Sequence, residues 1–150
     1  MNLINANCGE VNYPIGTHMT HNLPVIKNLA KAFNKEKCKD KINVFCMGSS
    51  GAIMAAIFAS IVKNVTIIHI KKDGEKSHLG YNDVTRFVGN GETNIIIDDF
   101  INSGNTVNTI YRKITPKIEI DYLVLGFCYN IERKLSIIDF TPKNVIYTHD

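Results

Sequence analysis

Apolar residues along this chain fall into two alternating patterns, short β-branched runs and longer stretches of helical period. Ile42 to Met47, Val65 to Ile70 and Tyr122 to Phe127 are short runs that read as strands. Gly51 to Val62 is apolar nearly all round, as a helix lying inside a fold would be. An earlier helix has Pro24 in its first turn and extends to about Asn34, with Val25, Ile26, Leu29, Ala30 and Phe33 on one face. Residues 1–20 read as irregular, punctuated by Gly9, Pro14 and Gly16, and a polar stretch runs from Lys71 to Glu92. In the tail, Leu135 to Phe140 and Val145 to Tyr147 fit an edge strand or part of a substrate lid. Strand, helix, strand, loop, strand, helix, strand is the plan of a parallel α/β sheet built from right-handed crossovers.

The segment Asn94 to Val107, NIIIDDFINSGNTV, narrows this picture most. Its isoleucines suit a strand covered on both faces. Asp98 and Asp99 then fall outside the carboxyl end of that strand, where open α/β sheets bind ligands. Adjacent carboxylates repel and are costly to bury unless hydroxyl donors or a cation compensate. Val107, Ile110, Tyr111 and Ile114 mark the next helix, and its amino terminus offers free N–H groups to a phosphate beside Ser103, Gly104 and Thr106. The same residues also fit a buried strand ending in a solvated acidic turn.

The segment resembles the PRPP-binding signature of the type I phosphoribosyltransferases, a hydrophobic strand ending in two acidic residues and followed by a Thr/Ser-Gly-x-Thr loop. The resemblance implies a Rossmann-like parallel-sheet core at about residues 42–128, with a small variable hood from residues 1–40 and 127–150. It implies that Asp98 and Asp99 take the ribose hydroxyls of PRPP and, directly or indirectly, magnesium, while Ile101, Asn102, Ser103, Gly104, Asn105 and Thr106 take the 5′-phosphate. Asn102 is a departure: some members, the hypoxanthine-guanine type among them, carry an aspartate there that contacts the purine or assists proton transfer.

Two more segments fit in order. Cys46 to Ala52, CMGSSGA, occupies the place of the family's pyrophosphate loop, often built around a strained or cis peptide. Met47, Gly48, Ser49, Ser50 and Gly51 are its candidates, although a tight turn with a serine helix cap needs the same residues. His69 to Asp83 holds Lys71-Lys72 and Lys76-Ser77-His78-Leu79-Gly80, similar to the Lys-x-His-Gly mobile loop of orotate phosphoribosyltransferases but with extra residues. Lys72 is the candidate for pyrophosphate, and Lys76 and His78 for catalysis, since cations would stabilise the charge developing on departing pyrophosphate. A solvated hairpin is the plainer alternative. Phe127 and Tyr129, just past the last core strand, are candidates to stack on the base.

Composition adds mostly exclusions. A chain of 150 residues is most simply one domain, and a net charge of +3 does not argue for nucleic acid. The four cysteines form no C-x-x-C pair, and Cys46 and Cys128 sit in apolar runs suited to free buried thiols. His18 and His21 lack a third ligand for a metal. No apolar run reaches the roughly 18 residues of a membrane span, and a cytoplasmic protein is expected. The resemblance thus implies a magnesium-dependent transferase of nucleotide salvage, commonly dimeric, joining PRPP to orotate or a purine and releasing pyrophosphate. The alternative is a regulatory protein of the same fold that senses PRPP or a nucleotide without turnover.

Overall fold

The computed structural model describes residues 1–6, 23–36, 41–76, 80, 91–114 and 118–148. These residues build β1 (Asn2–Asn5), α1 (Leu23–Phe33), β2 (Ile42–Met47), α2 (Gly48–Ala59), β3 (Val65–Ile70), β4 (Thr93–Phe100), α3 (Asn105–Ile114), β5 (Tyr122–Phe127), α4 (Ile131–Leu135) and β6 (Asn144–Tyr147). The strands form one sheet in the order β1-β6-β5-β4-β2-β3, with every neighbouring pair parallel. This is the α/β parallel-sheet class that the alternating pattern predicts.

All six residues of β2 are buried, as are the first six of β4, which is why neither shows polar alternation. Val44, Cys46, Ile95, Ile97 and Val124 face a layer made by α1 and α2. Phe45, Met47, Ile96, Leu123 and Leu125 face the opposite layer, which holds Val107, Ile110 and Ile114 of α3. An isolated helix of 11 residues such as α1 is marginal in water, so its stability comes from packing. Its whole predicted apolar face is buried, and Phe33 meets Phe58 at 5.3 Å and Tyr122 at 5.1 Å between ring centroids.

Four elements differ from the sequence expectation. The first residues are not wholly irregular, because Asn2–Asn5 pairs with β6 as the true edge strand. Its NLIN sequence has no strand pattern of its own and is held by bonds such as Ala6 N–H to Tyr147 O at 2.8 Å. The tail run at residues 145–147 is neither edge nor lid; β6 lies between β1 and β5 with Val145, Ile146 and Tyr147 buried. Leu135 to Phe140 contains the end of the one-turn α4 and the bend after it, not a strand. Helix α2 starts at Gly48, a turn before expected, because glycine and serine disguise a helix that begins directly at the end of β2.

The chain leaves β2 through α2 on one face to reach β3, then crosses back to β4 and leaves through α3 on the other face. The carboxyl ends of β2 and β4 are therefore the topological switch point, where a crevice forms. The β2–β4 ladder runs from Ile42↔Thr93 to Phe45↔Ile96 and stops before Cys46 and Ile97, so the strands part there. No helix among the described residues is long and apolar enough to cross a membrane.

Candidate active site

Asp98 and Asp99 occupy the crevice end of β4, the first buried and the second half-buried. Asp98 Oδ1 accepts the Asp99 N–H at 3.0 Å, and Asp99 Oδ1 accepts the Phe100 N–H at 3.0 Å. Burial, then the charge and hydrogen bond of Asp99, push the Asp98 carboxyl well above its ordinary range, while the Lys72 ammonium pulls it back. A carboxylate held this way is under-compensated, and ribose hydroxyls or a cation would relieve it. Among the described residues no group of three His, Cys, Asp or Glu could hold a metal.

Beyond the acidic pair, residues 98 to 107 line a pocket of about 110 Å³. Pockets for whole drug-sized ligands run to roughly 300–1,000 Å³, so this one has room only for a small group. Ile101 is buried in the α3-side core and anchors the loop, so it can offer a ligand only its backbone. Asn102, Ser103 and Asn105 are exposed and Thr106 is half-buried. The first-turn amides of α3 have no carbonyl one turn back within the helix and are free to bind an anion. Asn105 N–H reaches Ser103 Oγ at a long 3.4 Å, and Asn108 N–H closes the turn on Gly104 O at 2.9 Å.

The loop's shape depends on Gly104 and a brace behind it. Gly104 has φ 76°, and a Cβ there would lie 2.8 Å from Ile137 O. Asn108 Nδ2 donates to that same carbonyl at 3.1 Å, and its Oδ1 accepts the Asp139 N–H at 2.8 Å. Arg112 pairs with Asp139, and Lys134 Nζ donates to Asn102 O at 3.2 Å. The segment after α4 is thus a strut for the phosphate pocket. Sequence reading missed Asn108, whose signal was a polar residue interrupting the apolar face of α3. The Ile137 carbonyl had no such signal, because every residue has one.

On the β2 side, neither serine caps α2: the N-cap is Met47, with no side-chain capping bond. The first amides of α2 therefore also face the crevice without a side-chain partner at the cap. There is no cis peptide among the described residues, and the turn is made by Gly48 at φ 70°. Ser49 is exposed and Ser50 half-buried. Gly51 serves close packing: a Cβ there would lie 3.5 Å from Cys46 Cβ and 3.8 Å from Ile97 O.

Lys72 reaches this loop from the end of β3. A Cβ on Gly48 would lie 3.4 Å from its Cε and 3.5 Å from its Nζ, and its charge is felt at Asp98. Lys72 therefore stands between the two loops. Lys76 is exposed, and no contact among the described residues ties it to the crevice. His78 lies outside the described residues, as do His18, His21, Cys8 and Cys38.

At the end of β5, Phe127 is half-buried and Tyr129 is 61% exposed, with their rings edge-on at 4.4 Å. Phe100, which sequence reading passed over, is paired with Phe127 across the sheet and is 53% exposed beside the acidic pair. Its signal was a large aromatic placed where the strand leaves the core. Two thiols, Cys46 and Cys128, are buried: burial, then the Asp98 charge, pushes Cys46 up to about 12, and burial raises Cys128 despite nearby Lys134.

A family model described as PRTase-CE matches residues 15–149. No curated protein sequence matches the chain. Among solved structures, the chain is similar to a hypoxanthine-guanine phosphoribosyltransferase from Bacillus anthracis, at 17% identity and a TM-score of 0.53 over 92% of this chain and 83% of that one. It is also similar to a hypoxanthine phosphoribosyltransferase from Staphylococcus aureus, at 14% identity and 0.53 over 94% and 84%. A xanthine-guanine-hypoxanthine phosphoribosyltransferase from Helicobacter pylori matches at 14% identity and 0.51 over 85% of each chain. At such identities the likeness concerns the fold.

Proposed function

The chain belongs to the PRTase-CE family of type I phosphoribosyltransferases, and from that premise we propose that it transfers the 5-phosphoribosyl group of PRPP to a nucleobase, orotate or a purine, releasing pyrophosphate. One observation carries the reading. An under-compensated acidic pair, a phosphate-sized pocket at a helix amino terminus and a lysine against a glycine turn converge at the sheet's switch point.

In this reading Asp98 and Asp99 accept hydrogen bonds from the ribose 2′- and 3′-hydroxyls. The 5′-phosphate sits in the pocket of Ile101 to Thr106, on the amides that open α3. The pyrophosphate lies along Met47 to Gly51, close to a backbone that carries no bulky side chain at Gly48. As the bond from C1 to pyrophosphate lengthens, the sugar becomes oxocarbenium-like and negative charge grows on the leaving group. Lys72 stabilises that charge, and a preoriented cation does so without reorganising at the moment of reaction. No covalent nucleophile is needed. Magnesium, near Asp98 and Asp99, would offset the charge gathered by pyrophosphate and ribose oxygens.

Phe127 and Tyr129, with Phe100 alongside, offer aromatic surface to the planar acceptor. The solved structures above are named for hypoxanthine, guanine and xanthine, which favours a purine, whereas Asn102 cannot serve as a proton acceptor for it. We further propose a cytoplasmic homodimer. Its support is exposed apolar surface: α2 carries no charged residue yet leaves Ile53 36% exposed, and the edge strand β3 leaves Ile67 38% exposed.

Pyrophosphate release from PRPP and magnesium across orotate, uracil, adenine, hypoxanthine, guanine, xanthine and nicotinate tests the reading. Release with one base would establish the transferase and its acceptor together. PRPP binding without release for any base would instead support a PRPP sensor.

A further inference from the structure

We propose that Lys113 is a positioning residue: from the last turn of α3 it clasps the turn after β3 and holds the Lys72 ammonium at the pyrophosphate end of the crevice. The role in turnover rests on the transferase reading above; the clasp itself does not.

Lys113 Nζ donates to Lys71 O at 2.6 Å and pairs with Asp73 Oδ1 at 2.8 Å. These contacts fall on the residues immediately before and after Lys72. The turn is also closed from within, since Lys72 N–H donates to Glu75 Oε2 at 2.9 Å and Glu75 N–H donates to Lys72 O at 3.1 Å. Gly74, at φ 78°, supplies the left-handed residue that lets so short a turn close. Lys72 is thus fixed through its neighbours on both sides and through its own backbone, while its side chain runs to Gly48.

Nothing local to α3 calls for this arrangement. A lysine in the last turn of a helix ordinarily stays in water or bonds the helix's own last carbonyls. The Lys113 side chain is instead only 20% exposed and bonds a carbonyl far away in sequence. Ordering and burying a lysine has one of the largest side-chain entropy costs, so the contact has to compensate by fixing something. Charge supports the same view. Asp73 and Glu75 offset Lys113 and the backbone end of the turn, which leaves the Lys72 ammonium directed at Gly48 and Asp98.

The clasp also links the two ends of the crevice. The amino terminus of α3 forms the phosphate pocket, and its ninth residue holds the lysine turn. A helix of 10 residues spans about 15 Å and is stiff over that length, so one rigid element sets both anion-binding ends. Lys72 is then preoriented, not delivered by closure of a loop.

The test uses Lys113→Met, which keeps the apolar stem, with Lys72→Met, the double variant and Lys113→Arg. Lys72→Met should lower kcat by about 10²- to 10³-fold, as loss of one charge-stabilising group does. Lys113→Met should lower kcat by roughly tenfold to hundredfold through misplacement of that group. The double variant should be no slower than Lys72→Met alone, and Lys113→Arg should recover most of the loss. Independent, multiplicative losses would overturn the positioning role, because a general structural defect would act in either background.

Amide hydrogen exchange of the ligand-free chain tests the clasp without any substrate. Exchange at Glu75 should accelerate about tenfold or more in Lys113→Met, as a local opening becomes easier. Unchanged exchange would overturn the clasp. If Lys113→Met does not fold, Asp73→Asn, on a side chain 88% exposed, carries the same measurement with a smaller rise expected. A wild-type chain that releases no pyrophosphate but shows the exchange difference would sink the transferase reading and leave the clasp standing.

Discussion

In the proposed function the crevice has one end for phosphate and one for the acceptor, and the two are built from different kinds of group. Around α3 the surfaces that meet a ligand are backbone amides and short polar side chains, held from behind by Asn108, the Ile137 carbonyl and Ile101 in the core. Around the end of β5 they are large side chains, Phe100 and Tyr129, exposed over more than half their surface. The first end gets its chemistry from the fold, so changing it should disturb fold and ligand together. The second gets its chemistry from individual side chains, so it can be altered with the fold left alone.

The most damaging way to probe this contrast is Gly104→Val. It forces a β-branched residue into a left-handed conformation with Cβ 2.8 Å from Ile137 O. Left-handed strain of about 1–2 kcal/mol and overpacking of about 1–3 kcal/mol together should lower the melting temperature by roughly 5–15 °C. PRPP binding should be lost with it. Wild-type stability in this variant, by calorimetry, would show that the strut does not constrain the loop.

A middle-sized effect separates ligand from fold at Asp98. Its folded pKa is raised above the ordinary 3.8, so its contribution to stability is fully present below 3.8 and is lost as pH rises through the raised folded value. At neutral pH and without magnesium the buried carboxyl therefore contributes less to the stability of the free protein than it does in acid. Asp98→Asn should melt higher than wild type at neutral pH, with the gap closing as pH falls toward 3.8, while binding PRPP more weakly. Thermal melts across that range decide it; a variant that melts lower at neutral pH would contradict the burial cost.

The smallest effect should come from the acceptor end. Tyr129→Ala removes one exposed ring, worth about 1 kcal/mol of stacking on a base, which raises the acceptor KM roughly fivefold. Melting temperature and PRPP affinity should stay as in wild type. Steady-state kinetics on whichever base releases pyrophosphate would show this, and a larger loss in PRPP affinity than in acceptor KM would break the division between the two ends.

The contrast also explains what the sequence made legible. β2, β3 and β5 were readable to their last residue, because each is a short, mostly apolar run, although only β2 and β5 are buried along most of their length and the edge strand β3 leaves Thr66 and Ile67 exposed. The acidic pair and the SGNT stretch stood out because carboxylates and small polar residues directly follow a buried apolar strand and precede a helix of apolar period. β1 and β6 were not readable, since Asn2–Asn5 owes its state to pairing with a strand at the other end of the chain. Lys113 and Ile137 were invisible for a related reason, and Asn108 showed only as a polar residue within the apolar face of α3. Their roles come from contacts between residues far apart in sequence, and a lone lysine or asparagine on a helix carries no local mark of them.

The central claim is that the acidic pair at the end of β4 holds the ribose of PRPP. The most direct measurement is calorimetric titration of PRPP with magnesium into the wild-type chain and into Asp98→Asn combined with Asp99→Asn. The transferase reading predicts saturable binding to wild type. It also predicts at least a hundredfold weaker binding to the variant, since each charge-assisted hydrogen bond contributes about 1.5–3 kcal/mol. The variant's melting temperature should be no lower than that of wild type. Equal affinity in the two proteins, or no binding to a folded wild-type chain, would contradict the assignment of the crevice.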